Sequence, residues 1–209
     1  MATGAFTNCF DLFSRPLALR LKIEYVVMGE VPEAEVQRLG QAPTISYQIE
    51  SEHLADLYMF PPVQYPNGKY YLKMGANTTA DRYVETLDEI NAWYRTGNSD
   101  MMLAVMRDTV CDILPGLQAV NWHTNRCVIT RTVHAKPYID IVTPGRIYAA
   151  IGGNGTAAQA ADGIGKTAAD LMIHNEWRSD LDANEFRLVY ADENVDWHNR
   201  ELVRGSMKR

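Results

Sequence analysis

IDIVTPGRIYAAIGGNGTAAQAADGIGKTAADL, residues 139–171, is the stretch that decides the fold. A β-favouring run over residues 146–151 is followed by a glycine cluster and then by an alanine-rich segment. Apolar residues in that segment recur at helical spacing: Ala157, Ala160, Ala161, Ile164, Ala168 and Leu171. The pattern predicts a strand, a tight glycine turn and a helix N-terminus. Glycines let a ligand approach the backbone, and the N–H groups that open a helix favour a negatively charged partner. A cofactor-facing turn is therefore the first hypothesis.

Two nucleotide-binding motifs compete with this interpretation of the glycine turn. Residues 153–158, GNGTAA, formally fit the dinucleotide fingerprint, but that fingerprint needs a following βαβ unit, and the chain turns polar after Glu176. Residues 165–167, GKT, are similar to the end of a P-loop, but the first glycine of that motif would fall on Ala160. A glycine-rich turn of purely structural use stays open as the third interpretation.

Residues 126–171 resemble the C-terminal part of the amine and amino-acid oxidase superfamily of FAD-dependent oxidoreductases, which has the D-amino-acid oxidase fold. The sarcosine-oxidase-like branch is the most similar. The resemblance is carried by CVITRTVHAKPYID at 127–140, by the strand RIYAAIG, and by the glycine turn with its helix. MATGAFTN at 1–8 resembles the strand end where the family's chain leaves the FAD domain, and residues 17–100 show a similar order of elements with weaker motifs.

The resemblance implies FAD as cofactor and a secondary amine or an amino acid as substrate, oxidised by hydride transfer to the flavin. The helix start would lie under the flavin ring, with the N–H groups of residues 155–157 stabilising the negative charge of the reduced ring. Cys127 stands where relatives attach FAD through a thioether, although a cysteine in an apolar strand is commonly a small buried hydrophobe. The implied cofactor-binding residues are Thr3, Gly4, Ala5, Cys127, Gly152, Gly153, Asn154, Gly155 and Thr156.

Two residues are implied on the catalytic side, and both depart from the family. Asn77 stands where the branch has a substrate-facing histidine; asparagine orients a substrate by hydrogen bonds but exchanges no proton near neutral pH. Gln159 lies near the position of a lysine that favours reaction with oxygen, which points to a dehydrogenase. His134 replaces a common aspartate. The tyrosines expected to line the substrate side are Tyr25, Tyr47, Tyr58, Tyr70 and Tyr71.

Composition excludes several classes of partner. A net charge of -6 over 209 residues argues against a nucleic-acid or anionic-membrane surface as the main partner. The sequence has no apolar run long enough for a membrane span and no signal-peptide pattern. Three widely spaced cysteines suit reduced thiols in a cytoplasmic protein, and the five histidines show no metal-ligand spacing.

The order of the motifs predicts four segments. These are a remnant of an FAD-domain strand with a short helix (1–16), a substrate-binding α+β domain (17–125), an FAD-contacting segment (126–175) and a polar C-terminal tail (176–209). No G-x-G-x-x-G stands near the start, so the chain is expected to be a C-terminal portion, with the other half missing or supplied by another chain. The alternative is a non-catalytic binding module that self-associates, as a homodimer, through the apolar surface left uncovered.

Periodicity predicts an α+β fold: a largely antiparallel sheet with flanking helices, followed by the strand, glycine turn and helix described above. Strands are expected at residues 17–28, 45–49, 55–60, 69–74, 120–133 and 186–190, with 66–68 (PNG) as a tight turn. Helices are expected at 6–14 and 32–39, and on the apolar faces of 84–94 and 102–113.

Overall fold

One long strand, β1 (Leu19–Val31), is the centre of a six-stranded sheet in the computed structural model, which describes residues 1–49 and 51–197. The strand order is β2–β3–β4–β1–β5, with β6 also pairing with β1. The other strands are β2 (Ile45–Gln48), β3 (Leu54–Gln64), β4 (Tyr70–Thr78), β5 (Tyr83–Val84) and β6 (Asn121–Thr132). The pairs β2–β3, β3–β4, β4–β1 and β1–β5 are antiparallel. The predicted α+β class with a largely antiparallel sheet is confirmed.

The helices are α1 (Glu33–Leu39), α2 (Leu87–Thr96), α3 (Asp100–Ile113) and α4 (Ala161–His174). Their ends follow the expected chemistry: Gly40 closes α1 with φ +58°, and the Ser99 side chain accepts a hydrogen bond from the Met102 N–H at the start of α3. Short 3-10 helices lie at Gly4–Phe6, Ala157–Ala160 and Ala183–Glu185.

The helix predicted at residues 6–14 is wrong. Only the 3-10 turn Gly4–Phe6 forms, because the Asn8 side chain holds the following segment against the start of the sheet. Its Nδ2 donates to the Leu17 carbonyl oxygen at 2.8 Å, and its Oδ1 accepts from the Leu17 N–H at 3.0 Å. Asp11 adds a left-handed backbone, φ +37°, which no helix continues through.

The alternation of apolar and polar residues in β1 does not mark an exposed face. The alternation over residues 17–25 predicts a half-buried strand. That prediction is wrong, because β1 is buried on both sides from Leu21 to Gly29. Lys22 and Glu24 retain only 8% and 7% of their accessible surface. A central strand is covered on both faces, and charged side chains can be buried there when they have hydrogen-bond or ionic partners.

The chain divides into two compact units. The first contains Met1–Lys22, Tyr83–Asn91 and the described part of the chain from Val128 onward. The second contains the described residues of Ile23–Arg82 together with Ala92–Cys127. The strands β1 and β6 each contribute residues to both units. The four segments predicted from the sequence remain a prediction.

The first unit contains a second sheet that the sequence only half predicted. β8 (Ile147–Ile151) was expected, whereas β7 (Tyr138–Thr143) was not; the two form an antiparallel hairpin closed by Gly145 with φ +69°. Helix α4 packs on it through Leu171, which is buried with Ile139 and Phe186. Of the predicted apolar stripe, Ile164, Ala168 and Leu171 pack in this cluster, whereas Ala160 and Ala161 are exposed.

The C-terminal segment contributes to the core of the first unit. Phe186, Leu188 and Val189 are buried, although they lie within the segment predicted as a polar C-terminal tail (176–209). The strand predicted at 186–190 is wrong: a single bridge joins Leu17 to Tyr190, and the Leu188 N–H donates to the Asp140 carboxylate at 2.8 Å. The remainder of the predicted tail, 198–209, lies outside the described residues.

No helix among the described residues is both long enough and apolar enough to cross a membrane. Cys9, Cys111 and Cys127 are all free thiols.

Candidate functional site

The glycine turn of the first unit is held by one buried side chain. Asn154 is 6% exposed and has a left-handed backbone, φ +52°. Its Oδ1 accepts from the Thr132 N–H at 2.9 Å, and its Nδ2 donates to the Gly152 carbonyl oxygen at 2.7 Å and to the Thr132 hydroxyl oxygen at 3.1 Å. The Asn154 N–H donates in turn to the Thr130 carbonyl oxygen at 3.0 Å. The turn is therefore fixed to strand β6 by the chain itself.

The glycines of this turn are required by packing within the chain. A Cβ at Gly152 would lie 2.2 Å from the Thr132 methyl carbon, and one at Gly153 would lie 2.7 Å from the Ala157 Cβ. Gly152 and Gly155 also have φ of +81° and +79°, which side chains rarely adopt. The structural interpretation of the glycines thus accounts for all three, and a ligand is not needed to explain them.

The start of the helix is open. Gly155, Thr156, Ala158, Gln159 and Ala160 are exposed, and no side chain caps the 3-10 turn at Ala157–Ala160 or the start of α4. An open helix start is what a cofactor-facing turn needs; had it been packed in the core, the hypothesis would have failed.

The number of N–H groups available at this helix start is smaller than expected. Thr156 and Ala157 both donate to the Gly153 carbonyl oxygen, at 2.9 and 3.0 Å. The expectation of three N–H groups at 155–157 is therefore wrong for two of them. Among the described residues, no hydrogen-bond acceptor lies opposite the Gly155 N–H.

The N-terminal residues Thr3, Gly4 and Ala5 also belong to the first unit. The Gly4 carbonyl oxygen accepts from the Thr7 hydroxyl at 2.7 Å, and the Thr3 and Thr7 hydroxyl oxygens lie 2.8 Å apart, so the segment is ordered rather than frayed. Ala5 is buried and lines a cavity of about 580 Å³ whose walls include Leu17, Leu21, Val84 and Trp197. No pattern in the sequence predicts this cavity.

In the second unit, the register of β1, β3 and β4 places several polar and aromatic side chains on one face of the sheet. Residues directly opposite each other in antiparallel strands share a face. Asp56 lies opposite Asn77, Tyr58 and Val26 opposite Gly75, and Phe60 and Met28 opposite Lys73. Cys127 packs on the same side, against Val26 and Met28. We call this surface the Cys127 face; its polar and aromatic members are Asp56, Tyr58, Phe60, Lys73, Asn77 and Cys127.

Burial on this face changes two pKa values. The pKa of the Cys127 thiol is raised, chiefly by burial, with Glu24 adding to the rise and Lys73 opposing it. The pKa of Tyr58 is raised as well, by burial and then by the nearby carboxylate of Glu24. Both groups are therefore protonated near neutral pH. Since a thiolate is the nucleophilic form of cysteine, a raised pKa slows any bond-forming step by the Cys127 sulfur.

Asn77 is held by a residue that the sequence did not single out. Its Nδ2 donates to Asp56 Oδ1 at 2.6 Å, and its backbone N–H donates to the same oxygen at 3.4 Å. The only sequence signal for Asp56 is its alternation with Tyr58 and Phe60 along β3, which places the three on one side of the strand.

The predicted tyrosines separate into different environments. Tyr58 lies across Gly75, where an added Cβ would sit 2.3 Å from the phenol oxygen. Tyr25 is buried edge-on against Trp93 with the ring centroids 5.0 Å apart, whereas Tyr47 is 54% exposed. Of the five, Tyr58 is the one placed beside both Cys127 and Asn77 on the Cys127 face.

The His134 ring stands edge-on to Tyr138 with the ring centroids 6.0 Å apart. Burial, with Arg187 nearby, lowers the pKa of His134. The described residues contain no group of three or more His, Cys, Asp or Glu side chains arranged to hold a metal ion.

The predicted site residues therefore fall into two sets. Gly152, Gly153, Asn154, Gly155, Thr156 and Gln159 join Thr3, Gly4 and Ala5 in the first unit, and Cys127 and Asn77 belong to the second. No protein-family model matches the chain, and no curated protein matches it significantly.

Proposed function

We propose that the chain is the substrate-domain and flavin-contacting portion of an FAD-dependent oxidoreductase that oxidises a secondary amine or an amino acid. The observation that carries the proposal is the open helix start after the glycine turn, where the Gly155 N–H is available on an exposed surface. The second support for the proposal is the resemblance of residues 126–171 to the D-amino-acid oxidase superfamily. The compartment proposed from the reduced thiols is the cytoplasm.

The residues present fit a flavin with one restriction. FAD supplies the hydride-accepting ring when bound, and the helix start supplies a donor and a dipole toward negative charge. Asn154 keeps that donor in place through its bonds to Thr132 and Gly152. The restriction concerns Cys127. Because the pKa of its thiol is raised, we expect the sulfur to line the Cys127 face rather than to form a covalent bond with the cofactor. Gln159, exposed beside the turn, offers hydrogen bonds without charge.

Two spectroscopic measurements on the purified chain test the proposal. The first is the visible absorbance before and after acid precipitation, because flavin bands that remain in the precipitate indicate covalent FAD, and bands in the supernatant indicate bound FAD. The second is a titration of the chain with FAD, followed by flavin fluorescence.

The matched variants for the titration are Thr156→Asp and Met172→Asp, which add the same charge at the two ends of one exposed helical segment. We expect Thr156→Asp to weaken FAD binding about tenfold, because a carboxylate at the helix start competes with an anionic ligand for the dipole. Met172→Asp should leave binding unchanged. Equal effects of the two variants, or no FAD binding at all, would overturn the proposal.

A self-associating module is the second candidate function. Met172 and Ile173, adjacent at the end of α4, are 56% and 69% exposed, which is a large apolar exposure for neighbouring residues. If this surface serves a second copy of the chain, light scattering after size exclusion should give a dimer mass that a Met172→Asp, Ile173→Asp double variant reduces to a monomer. A monomer at high concentration for the unaltered chain would remove this candidate.

A further inference from the structure

The cavity of the first unit has apolar walls and an arginine at its opening. All the residues that line it belong to this unit, and its volume of about 580 Å³ lies in the range of cavities that hold small molecules. Leu17, Leu21 and Val84 are buried in the wall, and Trp197 lines it as well. Arg20 also lines the cavity and is exposed, so this side chain lies where the cavity meets solvent. Apolar walls with a charged group at the opening suit an amphipathic ligand.

The Arg20 side chain lies over an indole ring. Its guanidinium carbon is 4.2 Å from the centre of the Trp197 ring. Such a contact uses the face of the guanidinium group, whereas its five N–H donors lie in the plane and point outward from its edge. Within the described part of the chain, no hydrogen bond or ion pair involves these donors. The ring therefore holds the guanidinium group in place without using its hydrogen-bonding capacity.

A second arginine of the same unit has the same kind of ring contact together with a carboxylate. The Arg15 guanidinium carbon lies 3.9 Å from the centre of the Tyr190 ring. Arg15 Nη1 donates to the two carboxylate oxygens of Asp192 at 2.9 and 2.8 Å. The ring supports the guanidinium plane while the carboxylate binds its donors, which is the usual division of roles for arginine. Arg20 has the ring and lacks a carboxylate from the described residues.

We infer that the cavity binds a small monocarboxylate with an apolar body, whose carboxylate group bonds to Arg20 and whose body lies against the apolar walls. Glu85 and Glu193 also line the cavity. Glu193 accepts hydrogen bonds from Arg187 Nη1 at 3.0 Å and from the Tyr190 N–H at 2.9 Å, and Glu85 is exposed. These two carboxylates repel a second negative charge, so a ligand with one carboxylate group is favoured over a dicarboxylate. The site requires neither FAD nor the proposed oxidation.

The test compares three ligands with the same apolar body and different head groups: 4-phenylbutanoate, the neutral 4-phenylbutanamide and the cation 4-phenylbutylammonium. Each is titrated into the full chain by isothermal titration calorimetry. We expect the carboxylate to bind about tenfold more tightly than the amide, the size of one hydrogen bond between charged partners, and more tightly than the cation. In Arg20→Gln the preference for the carboxylate over the amide should fall to about twofold. It should persist in Arg15→Gln, which removes the same charge from an arginine that Asp192 already occupies.

Cys9 lines the same cavity and reports whether the ligand occupies it. With 4-phenylbutanoate at about ten times its Kd, iodoacetamide should modify Cys9 about tenfold more slowly, because only about a tenth of the chains are unoccupied. The exposed Cys111 should react at its original rate. The inference is overturned if 4-phenylbutanoate does not bind, if the cation binds most tightly, or if the carboxylate preference survives Arg20→Gln. Binding that leaves the Cys9 rate unchanged places the ligand elsewhere and overturns it as well.

Discussion

Replacing Asn154 with alanine removes the side chain that holds the glycine turn. The Thr132 N–H and the Gly152 carbonyl oxygen would both lose a buried partner. Each orphaned group costs about 1–3 kcal/mol, and alanine at φ +52° adds about 1 kcal/mol. We expect the free energy of unfolding to fall by about 4 kcal/mol, a large part of the usual stability of a domain.

Asn175→Ala is the matched control, because Asn175 has nearly the same backbone angle, φ +54°, but is exposed. Its partners, the Gly145 N–H and the Tyr148 hydroxyl, are exposed and bond to water when it is removed. The expected loss is about 1–2 kcal/mol. Urea unfolding of both variants measures the difference, with Asn154→Asp as an intermediate case that keeps the acceptor for Thr132. If Asn154→Ala loses no more stability than Asn175→Ala, the turn is not held by its own chain.

Three further outcomes follow from other contacts. Glu35, 3% exposed and paired with Arg38, has a lowered pKa, so its stabilising contribution is full above the ordinary carboxyl pKa of 4.5 and is lost as the pH falls through the lowered value. Glu35→Gln should lower the free energy of unfolding at pH 7 by about 2 kcal/mol, and it should weaken the dependence of that free energy on acidic pH, as urea titrations would measure. The same loss of stability at low pH in the variant as in the unaltered chain would contradict this. Iodoacetamide should modify Cys127 at least tenfold more slowly than the exposed Cys111 at pH 7.5, as peptide mass spectrometry would show, and equal rates would refute the burial of the thiol. Gly75→Ala should destabilise the chain by about 1–3 kcal/mol in thermal unfolding, because the new methyl group meets a tyrosine ring across the strand pair, and an unchanged midpoint would show that the ring moves away freely.

Much of the sheet could be predicted because its signals are local. The turn at 66–68 closes the β3–β4 hairpin, with Gly68 at φ +80° and the Tyr65 N–H donating to Lys69. The incorrect predictions concern segments whose structure depends on contacts with residues far away in the sequence. Residues 186–190 have strand-like composition, yet their backbone groups bond to several different segments, so no continuous ladder forms. β7 was missed because its residues were assigned to a family motif rather than to a hairpin.

The position of the candidate site could be predicted from the sequence, but the hydrogen bonding within it could not. The glycine turn and its open helix start were expected from spacing, whereas the use of two N–H groups within the turn depends on a carbonyl oxygen that periodicity does not place. Asp56 was missed because a lone acidic residue in a strand carries no motif. Only the pairing register reveals that it faces Asn77.

The passage of the chain between the two compact units limits how this protein can be dissected. The described backbone leaves one unit for the other after residues 22, 82, 91 and 127. No uninterrupted stretch of sequence therefore encodes either unit, and a single cut in the gene would leave both pieces incomplete. Limited proteolysis should accordingly release no stable subfragment. Complementation experiments will need protein that has been nicked after folding, because the two compact units cannot be expressed separately.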